Sequence, residues 1–510
     1  MLDATPFLRA YASLRSQKLA RKSAAEHQAQ TLRKLVWHAQ NTKFGQDHNF
    51  AEIRSVADYQ ASVPLRSFED FRRDYFAASF PLLDDVTWPG RIPYFAASSG
   101  TSSGRTKHIP ISAEMIRSNS RAGTDLLAHH VRWKKDSDVL GGKSFMLGGS
   151  VGMEDLGEGV MSGDLSGIAR LNNPRWSAPY VFPNIEEALE ADWENKIDRL
   201  ARLSLDEKIH CIAGTPSWLL LFFERLRAVT DAGKNVKAFY PALDLMVYGG
   251  MSFAPYRDIF AEWFPDDDVD WREVYSASEG FVASADRGID DGMRLNLDIG
   301  LFFEFVPIAE WDDPNPTRYW IGNAPPGEYG LILSTCAGLW AYKIGDVVEL
   351  MDADPPRVKV TGRTSYYLSA FGEHLSGHEL EAGVLAAARE IGRNVSEFSV
   401  MPLYPGEARS KGQHLFVVEL DETPDAGDAA RFTKALDAAL AAGNEDYEVH
   451  RAGDVQLLPP DVAFVAAGGF ADWMRARGKL GGQNKVPRVL VDGDVRESLL
   501  NFAQEKRVQF

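Results

Sequence analysis

The chain has 510 residues, too many for a single compact core, so at least two domains are expected. Its apolar fraction of 45% and aromatic fraction of 11% are those of a packed globular protein. The net charge of −17 argues against broad binding to nucleic acids or anionic membranes, although a nucleotide pocket needs only a few local cations.

Cysteine usage and hydropathy favour the cytoplasm. Cys211 and Cys336 are the only two cysteines and stand among apolar or small residues, which favours reduced core thiols over a disulfide framework. The N-terminus lacks the continuous apolar stretch of a secretory signal, and the longest apolar run, 218–223, is too short to cross a bilayer. We expect a cytoplasmic monomer with no membrane or nucleic-acid partner.

The first elements in chain order lead to a glycine-rich loop. Residues 1–45 carry apolar side chains at helical spacing. A short strand is predicted at 94–96, the loop follows it directly, and a helix is predicted over 112–135 with Ser112 as its N-cap. A strand, a glycine loop and a helix in this order are typical of a phosphate site.

The loop runs from Ser98 to Pro110 and reads SSGTSSGRTKHIP. Its glycines let backbone N–H groups approach a ligand, its hydroxyls add donors and Lys107 adds a mobile charge, a combination that suits a polyphosphate. It is not a Walker loop, because three residues rather than four separate its glycines and the lysine comes too late. The alternative is a polar surface loop, although a plain linker has no reason to end in clustered cations.

Short strands and helices alternate over the following residues. Strands are predicted at 144–149, 209–213, 243–248 and 274–275, and helices at 185–209, from Thr215 and from Ser252. The strands end in glycine or serine, which indicates an α/β sheet with ligands at the carboxyl ends of its strands. Trp218 and Phe222 lie on an apolar helix face that is usually core packing, but they could instead wall an apolar substrate pocket together with Phe253.

The pattern changes twice more before the end of the chain. Strand-like runs separated by polar turns indicate an antiparallel portion over 301–350. Beyond it, strands are predicted at 366–368, 397–403 and 413–420, and helices at 376–391 and 430–442. We therefore predict an α/β fold with a large multi-sheet N-terminal domain over 1–362 and a small α+β C-terminal domain over 363–510.

Three separated stretches share one resemblance. SSGTSSGRTKHIP (98–110), VYSASEG (274–280) and YKIGDVV (342–348) resemble, in order and spacing, the nucleotide-binding motifs of the acyl-acid amido synthetases. This auxin-responsive plant family has bacterial members and belongs to the acyl-adenylating superfamily. TKFGQDHNF (42–50), YLSAFGEH (367–374) and GGQNKVPR (481–488) are also similar, so the resemblance spans nearly the whole chain.

The resemblance implies an adenylating N-terminal domain that binds ATP and the acid, a mobile C-terminal domain, and ATP and Mg²⁺ as cofactors. A carboxylic acid would attack the α-phosphate of ATP to give an acyl-adenylate and pyrophosphate. The amine of an amino acid would then attack the acyl carbon and release AMP, making the protein a ligase that forms a carbon–nitrogen bond. Two alternatives stay open: transfer of the acyl group to CoA or a carrier thiol, and nucleotide binding without turnover.

The family motifs assign roles to individual positions. The phosphate-binding positions are Ser98, Ser99, Gly100, Thr101, Ser102, Ser103 and Lys107. Ser276 and Ser278 would lie beside the nucleotide, and Asp346 would accept hydrogen bonds from the ribose. Glu279 would hold Mg²⁺ on the phosphates. Lys107, Glu279 and Lys485 are the expected catalytic residues, with Lys485 stabilising charge in the transition state.

Other positions have competing interpretations. Tyr248 and Tyr275 could flank the adenine or simply belong to the core, and Arg363 could contact ribose or phosphate or be a surface arginine. His374 stands where the plant enzymes carry a lysine, and its side chain is shorter and often neutral, so the role of that lysine does not transfer directly. His374 and His378 are four residues apart, but they lack the glutamate of a zinc-protease helix, and no metal site is expected there.

Overall fold

The computed structural model describes residues 2–509 with the exception of short internal segments. These segments are 100–105, 149–151, 174, 185–186, 188–192, 231, 251–252, 266–267, 365–367, 369–374, 404–410, 445–446, 449–450, 452–456, 481–484 and 491–492. The chain forms two compact units. The first comprises Met1–Phe253 and Phe260–Val360, and the second comprises Ala254–Ile259 and Thr361–Phe510. The functional division into an adenylating domain over 1–362 and a mobile domain over 363–510 stays a prediction.

Helices occur throughout the described chain. Their bounds are Thr5–Leu19, Ala24–Ala39, Lys43–Asp47, Val56–Ser62, Phe68–Phe71, Ala113–Trp133, Leu165–Leu171, Trp193–Ser204, Pro216–Thr230, Val236–Phe239, Arg257–Trp263, Gly377–Glu390, Ala426–Gly443, Gly469–Ala476 and Gly493–Lys506. Short 3-10 or π-helical turns occupy Phe50–Glu52, Arg72–Phe76, Arg175–Tyr180, Ala254–Tyr256 and Ile308–Glu310.

The strands are numbered in chain order. They are β1 (Tyr94–Ser99), β2 (Thr106–Ile111), β3 (Lys143–Met146), β4 (Met153–Gly157), β5 (Val160–Gly163), β6 (Val181–Phe182), β7 (Ile209–Gly214), β8 (Leu245–Gly249), β9 (Asp270–Ala277), β10 (Gly280–Ser284), β11 (Met293–Leu295), β12 (Leu301–Pro307), β13 (Tyr319–Trp320), β14 (Gly327–Thr335), β15 (Tyr342–Met351), β16 (Arg357–Arg363), β17 (Val395–Leu403), β18 (Gln413–Leu420) and β19 (Asp461–Val465).

A mixed sheet forms the centre of the first unit. Its strand order is β13-β12-β14-β15-β16-β11-β10-β9-β8-β7-β3-β6. The strands β6, β3, β7, β8 and β9 pair in parallel, as expected for an α/β sheet of alternating strands and helices, whereas β12, β14 and β15 pair antiparallel, as expected for 301–350. A smaller sheet, in the order β2-β1-β5-β4, was not anticipated.

The helical signals at the N-terminus are confirmed. Ser23 accepts a hydrogen bond from the backbone N–H of Glu26, whose side chain bonds back, which is the capping box that starts Ala24–Ala39. The apolar residues of this helix that recur at helical spacing are buried against the core of the first unit. Ser112 also caps its helix, since its Oγ accepts a hydrogen bond from the Met115 N–H at 3.0 Å.

The environment predicted for the glycine loop is wrong in one respect. The loop does not lead straight into the helix, because β2 intervenes and pairs antiparallel with β1. The loop therefore closes a hairpin, and the N-terminus of Ala113–Trp133 follows only after β2. The predicted helix over 185–209 is shorter, since its described part is Trp193–Ser204 and some of its residues lie outside the described chain.

The second unit has the predicted helices and strand pair. β17 and β18 pair antiparallel, and β19 joins β18 in parallel. The helices Gly377–Glu390 and Ala426–Gly443 bury apolar residues in one core cluster with these strands. The strand predicted at 366–368 lies mostly outside the described residues. Among the described residues of the whole chain, no helix is long and apolar enough to cross a membrane.

A buried polar cluster joins the helix Ala113–Trp133 to the amino ends of β8 and β9. His130 is fully buried, with its Nδ1 2.8 Å from Asp270 Oδ2 and its Nε2 3.0 Å from Asp244 Oδ2. Lys134 Nζ lies 2.7 Å from Asp244 Oδ1, and the Ser137 hydroxyl donates to the same carboxylate. The cluster ties a helix to two neighbouring strands at the edge of the sheet.

The protonation of this cluster depends on its hydrogen bonds. Burial alone would lower the pKa of His130, but hydrogen bonds to Asp244 and Asp270 outweigh burial and raise that pKa above 6.5. Burial would raise the pKa values of both aspartates, yet hydrogen bonds to His130 and other partners hold them below 3.8. The histidine thus contributes stability below pH 6.5 that is lost as pH rises through its folded pKa, and the aspartates contribute stability that is lost on acidification.

We expect His130→Gln to destabilise the first unit by about 3 kcal/mol, because it leaves two buried carboxylates without their shared cation. The loss should be larger near about pH 5.5 than near about pH 9, since the contribution of the wild-type histidine falls as pH rises through its raised folded pKa. Thermal unfolding at both pH values measures this difference. The control is His378→Gln, which changes an exposed histidine. An equal loss at both pH values would contradict the charged state assigned to His130.

Candidate active site

The carboxyl ends of the parallel strands form one edge of the main sheet. Gly148 follows β3, Thr215 follows β7, Gly249 ends β8, and Ser276 lies near the end of β9. Neighbouring parallel strands bring these ends together, and ligands of α/β sheets bind at this edge. The edge is therefore the candidate active site, as predicted from the glycine and serine exits.

The motif VYSASEG forms the end of β9 and the turn into β10. Ala277 pairs with Gly280, so Ser278 and Glu279 are the two residues of a tight hairpin turn. Gly280 has φ of +149°, and a Cβ there would come within 2.9 Å of Leu301, so this position requires glycine. Glu279 is buried at 8% exposure, whereas Ser276 is exposed and Ser278 is half-buried.

Two of the predicted nucleotide residues are in direct contact. The Tyr275 hydroxyl donates a hydrogen bond of 2.5 Å to Asp346 Oδ2, and both side chains are buried. Asp346 follows Gly345, whose φ of +87° lies in the left-handed region that glycine adopts without strain. The hydrogen bond fixes the orientation of the carboxylate and joins the second motif to the third. Sequence reasoning treated the two residues separately and gave no sign of this pairing.

The glycine loop, the predicted phosphate site, is described only at its two ends. Ser98 and Ser99 are the last residues of β1, while Gly100, Thr101, Ser102 and Ser103 lie outside the described residues. Lys107 on β2 is half-buried, stands opposite Ser98 in the pairing register, and has its Nζ 5.9 Å from the centroid of the Phe68 ring. The loop is thus anchored by a paired hairpin stem that includes the predicted lysine.

His108, next to Lys107, is a histidine that the sequence analysis left without a role. Its Nδ1 lies 3.2 Å from Ser162 Oγ on β5, and burial lowers its pKa. The imidazole is therefore mainly neutral near pH 7, and it does not add to the positive charge of the loop.

The predicted acid-pocket residues are largely buried. Phe222 is fully buried and makes an edge-to-face contact with Phe145, with 4.8 Å between ring centroids. Phe253 stacks on Tyr248 with 4.2 Å between centroids, and both rings are buried. Trp218 on the helix Pro216–Thr230 is half-buried. Packing of this kind favours the core interpretation for Phe222 and Tyr248, and contact of Trp218, Phe222 or Phe253 with a substrate stays a prediction.

Lys196 was missed by the sequence analysis. Its side chain is buried on the helix Trp193–Ser204, and its Nζ lies 3.4 Å from the carbonyl oxygen of Gly148, two residues after the end of β3. A buried ammonium group at the carboxyl edge of the sheet suits an anionic ligand. The sequence gave no signal, because Lys196 lies among many charged residues of the predicted helix over 185–209.

The remaining predicted residues belong to the second unit. Arg363 ends β16 and is half-buried, Lys485 is exposed, and His374 lies outside the described residues. Among the described residues, no group of three or more His, Cys, Asp or Glu side chains could hold a metal ion on its own. A single carboxylate such as Glu279 still fits Mg²⁺, which usually binds through one or two carboxylates together with substrate phosphates.

Both cysteines have the predicted state. Cys211 and Cys336 are buried and form no disulfide. Burial raises the pKa of each thiol to about 12, so neither is a thiolate nucleophile near neutral pH.

Comparison with known families gives three matches along the chain. The GH3 family N-terminal domain matches residues 13–150, the GH3 family central domain matches 295–363, and the GH3 family C-terminal domain matches 378–494. Together these stretches cover more than half of the chain, and they follow one another in the family's order.

Individual relatives are more distant. The probable indole-3-acetic acid-amido synthetase GH3.1 of Oryza sativa subsp. japonica is 28% identical over 177 residues, which is 34% of this chain and 29% of that protein. The indole-3-acetic acid-amido synthetase GH3.3 of Arabidopsis thaliana is 26% identical over 272 residues, which is 50% of this chain and 44% of that protein. The matched stretches therefore span less than half of the length of these curated relatives.

A solved structure confirms the fold class. The GH3.15 acyl acid amido synthetase matches with a TM-score of 0.78 over 95% of this chain and 94% of that chain, at 15% sequence identity. The two proteins thus share a fold although few of their residues are identical. The family resemblance is confirmed by the domain models. This chain belongs to the GH3 family.

Proposed function

We propose that this protein is an ATP-dependent acyl-acid amido synthetase, a ligase that joins a carboxylic acid to the amine of an amino acid. The observation that carries the proposal is the hydrogen bond from Tyr275 to Asp346 beside the buried Glu279. The bond joins residues of two predicted nucleotide motifs that are 71 positions apart in the chain. Membership of the GH3 family supports the same activity.

Asp346 has the chemistry needed to hold the ribose. A carboxylate offers two acceptor oxygens, which suits the neighbouring hydroxyls of a ribose. Because Tyr275 already fixes one oxygen, the carboxylate needs no reorientation when ATP binds. The Tyr275 ring, held at this position, would flank the adenine, and Ser276 and Ser278 would lie beside the nucleotide.

The phosphates of ATP would bind at the glycine loop. Backbone and hydroxyl groups of Ser98, Ser99 and the loop 100–103 would hold them, and Lys107 would add a positive charge. Glu279 would hold Mg²⁺, which supplies positive charge that offsets the charge developing on the phosphates. The buried position of Glu279 keeps its carboxylate fixed before the substrates arrive.

The reaction proceeds in two displacements. A carboxylate oxygen of the acid attacks the α-phosphorus of ATP, the bond from that phosphorus to the bridging oxygen breaks, and pyrophosphate leaves. The amino group of the second substrate then attacks the acyl carbon and loses a proton, the carbon–oxygen bond to AMP breaks, and an amide forms. Adenylation is needed because a free carboxylate is a poor electrophile and AMP is a good leaving group.

The acid would enter beside Trp218, with Phe222 and Phe253 behind that side chain. Lys196, whose Nζ lies near the carbonyl oxygen of Gly148, would face the carboxylate of the acid. Lys485 would stabilise transition-state charge and Arg363 would contact ribose or phosphate; both roles follow from the family motifs. The buried thiols and the use of ATP favour a cytoplasmic enzyme, and we propose that it acts as a monomer.

Mass spectrometry of products tests this function. The full chain is incubated with ATP, a panel of aryl and alkyl acids, and either amino acids or CoA. We expect an amide and AMP for at least one pair of acid and amino acid. A thioester with CoA and no amide would show the alternative acceptor, and the absence of AMP across the whole panel would favour nucleotide binding without turnover.

We expect Glu279→Ala to lower acid-dependent exchange of pyrophosphate into ATP by about 100-fold or more, because a charge-stabilising group is lost from the first displacement. Glu349→Ala serves as the matched control, since Glu349 is an exposed glutamate on β15, the strand that carries Asp346. Full exchange activity in the Glu279 variant would refute its assignment as the metal ligand.

The contact between Tyr275 and Asp346 predicts energetic coupling. Tyr275→Phe removes one hydrogen bond to a charged group and should raise the KM for ATP by about tenfold, and Asp346→Ala should raise it further. In the double variant, Tyr275→Phe should raise the KM for ATP by less than about twofold beyond the effect of Asp346→Ala, because Tyr275 acts through the carboxylate. Steady-state kinetics of the four proteins measures this cycle, and fully additive effects would show that the two residues act independently.

A further inference from the structure

A second cleft in the first unit lies away from the candidate active site. It has a volume of about 230 Å³ and is lined by residues of the helices Thr5–Leu19 and Ala113–Trp133 and of the segment after β10. This segment lies beside the start of β9, since Ala285 N bonds to the Glu273 carbonyl. The predicted nucleotide residues Ser276, Ser278 and Glu279 lie at and beyond the other end of β9.

Cationic side chains dominate the lining of this cleft. Arg132 and Arg287 are exposed, and their side chains make no hydrogen bond or ion pair with the described residues. Arg294 is half-buried, and its closest charged partner is Asp286, with 3.7 Å between Nη1 and Oδ2. Its guanidinium donates no hydrogen bond to a described residue. Three guanidinium groups at the cleft therefore have donors directed to no described acceptor.

The carboxylates near the cleft do not balance these charges. Asp286 is the only acidic residue among the described lining residues, and it also accepts a hydrogen bond of 2.5 Å from Arg357. At the floor, Arg15 binds both Asp125 and Asp298, at 2.7 and 2.6 Å. Five arginines thus face three aspartates, which leaves two positive charges in excess, and Lys18 and Arg121 near Asp298 add to the excess.

Burial and the neighbouring cations both shift the pKa values of the lining groups. Burial lowers the pKa of Arg294, and Arg357 and Arg15 lower it further, although Asp286 opposes the shift. Burial and the charge of Arg294 lower the pKa of His129, on the opposite wall, to about 4. A chain with a net charge of −17 has no general reason to gather cations in this way.

We propose that this cleft binds a small oxyanion of the phosphate class, held by Arg132, Arg287 and Arg294. Guanidinium groups match tetrahedral oxyanions because their N–H donors form pairs of parallel hydrogen bonds. A dianion offsets more of this excess positive charge than a monocarboxylate does. The site goes beyond the proposed function, since none of its residues belongs to the nucleotide motifs.

Calorimetric titration of the full chain with inorganic phosphate tests the site at constant ionic strength set by chloride. We expect one phosphate to bind per chain, in the cleft. The affinity for phosphate should be at least about tenfold weaker in the Arg132→Gln and Arg287→Gln double variant. The control is the Arg33→Gln and Lys34→Gln double variant, which removes the same charge from an exposed helix face and should bind phosphate normally. Arg294→Gln should weaken binding as well.

Three outcomes would overturn the proposal. The first is the absence of phosphate binding to the wild-type chain. The second is unchanged affinity in the cleft double variant, which would place any bound phosphate elsewhere. The third is acetate binding as tight as phosphate or sulfate, which would contradict recognition of a dianion.

Discussion

The hydrogen bond between Tyr275 and Asp346 joins two strands that are far apart in the main sheet. In the strand order, β9 and β15 are separated by four strand spacings of about 4.8 Å each, or roughly 19 Å in a flat sheet. Their side chains nevertheless touch, so the sheet must curl between them. The curl encloses a core to which β9, β10, β11, β12, β14, β15 and β16 all contribute. The candidate nucleotide site depends on this closure.

Much of this arrangement could be predicted because its signals are local. Ser112 caps a helix through its own side chain, and the capping box at Ser23 involves residues three positions apart. The continuous apolar run 243–248 indicated a parallel strand, and glycine or serine at the ends of the strands indicated the edge where ligands bind. Glu279 and Asp346 were assigned from short motifs that resemble those of the family, and their roles stay predictions.

The rest depends on contacts between distant parts of the chain. β2 was not predicted. Its six residues, TKHIPI, form a strand by pairing with β1, and their hydrophobic pattern does not distinguish them from the preceding loop. Lys196 was hidden among other charged helical residues, and its burial is set by the neighbouring strand. The bond from Tyr275 to Asp346 and the partners of His130 join residues more than 70 positions apart, a separation at which local patterns give no information.

Transfer of labelled oxygen tests the central claim most directly. When the carboxylic acid carries ¹⁸O in both carboxyl positions, adenylation leaves one of these oxygens bridging the acyl carbon and the α-phosphorus. Attack of the amine then releases AMP that contains one ¹⁸O atom, while the amide retains the other. Mass spectrometry of the products should show this labelled AMP in amounts equal to the amide. Unlabelled AMP, or label in inorganic phosphate with ADP as co-product, would contradict the account.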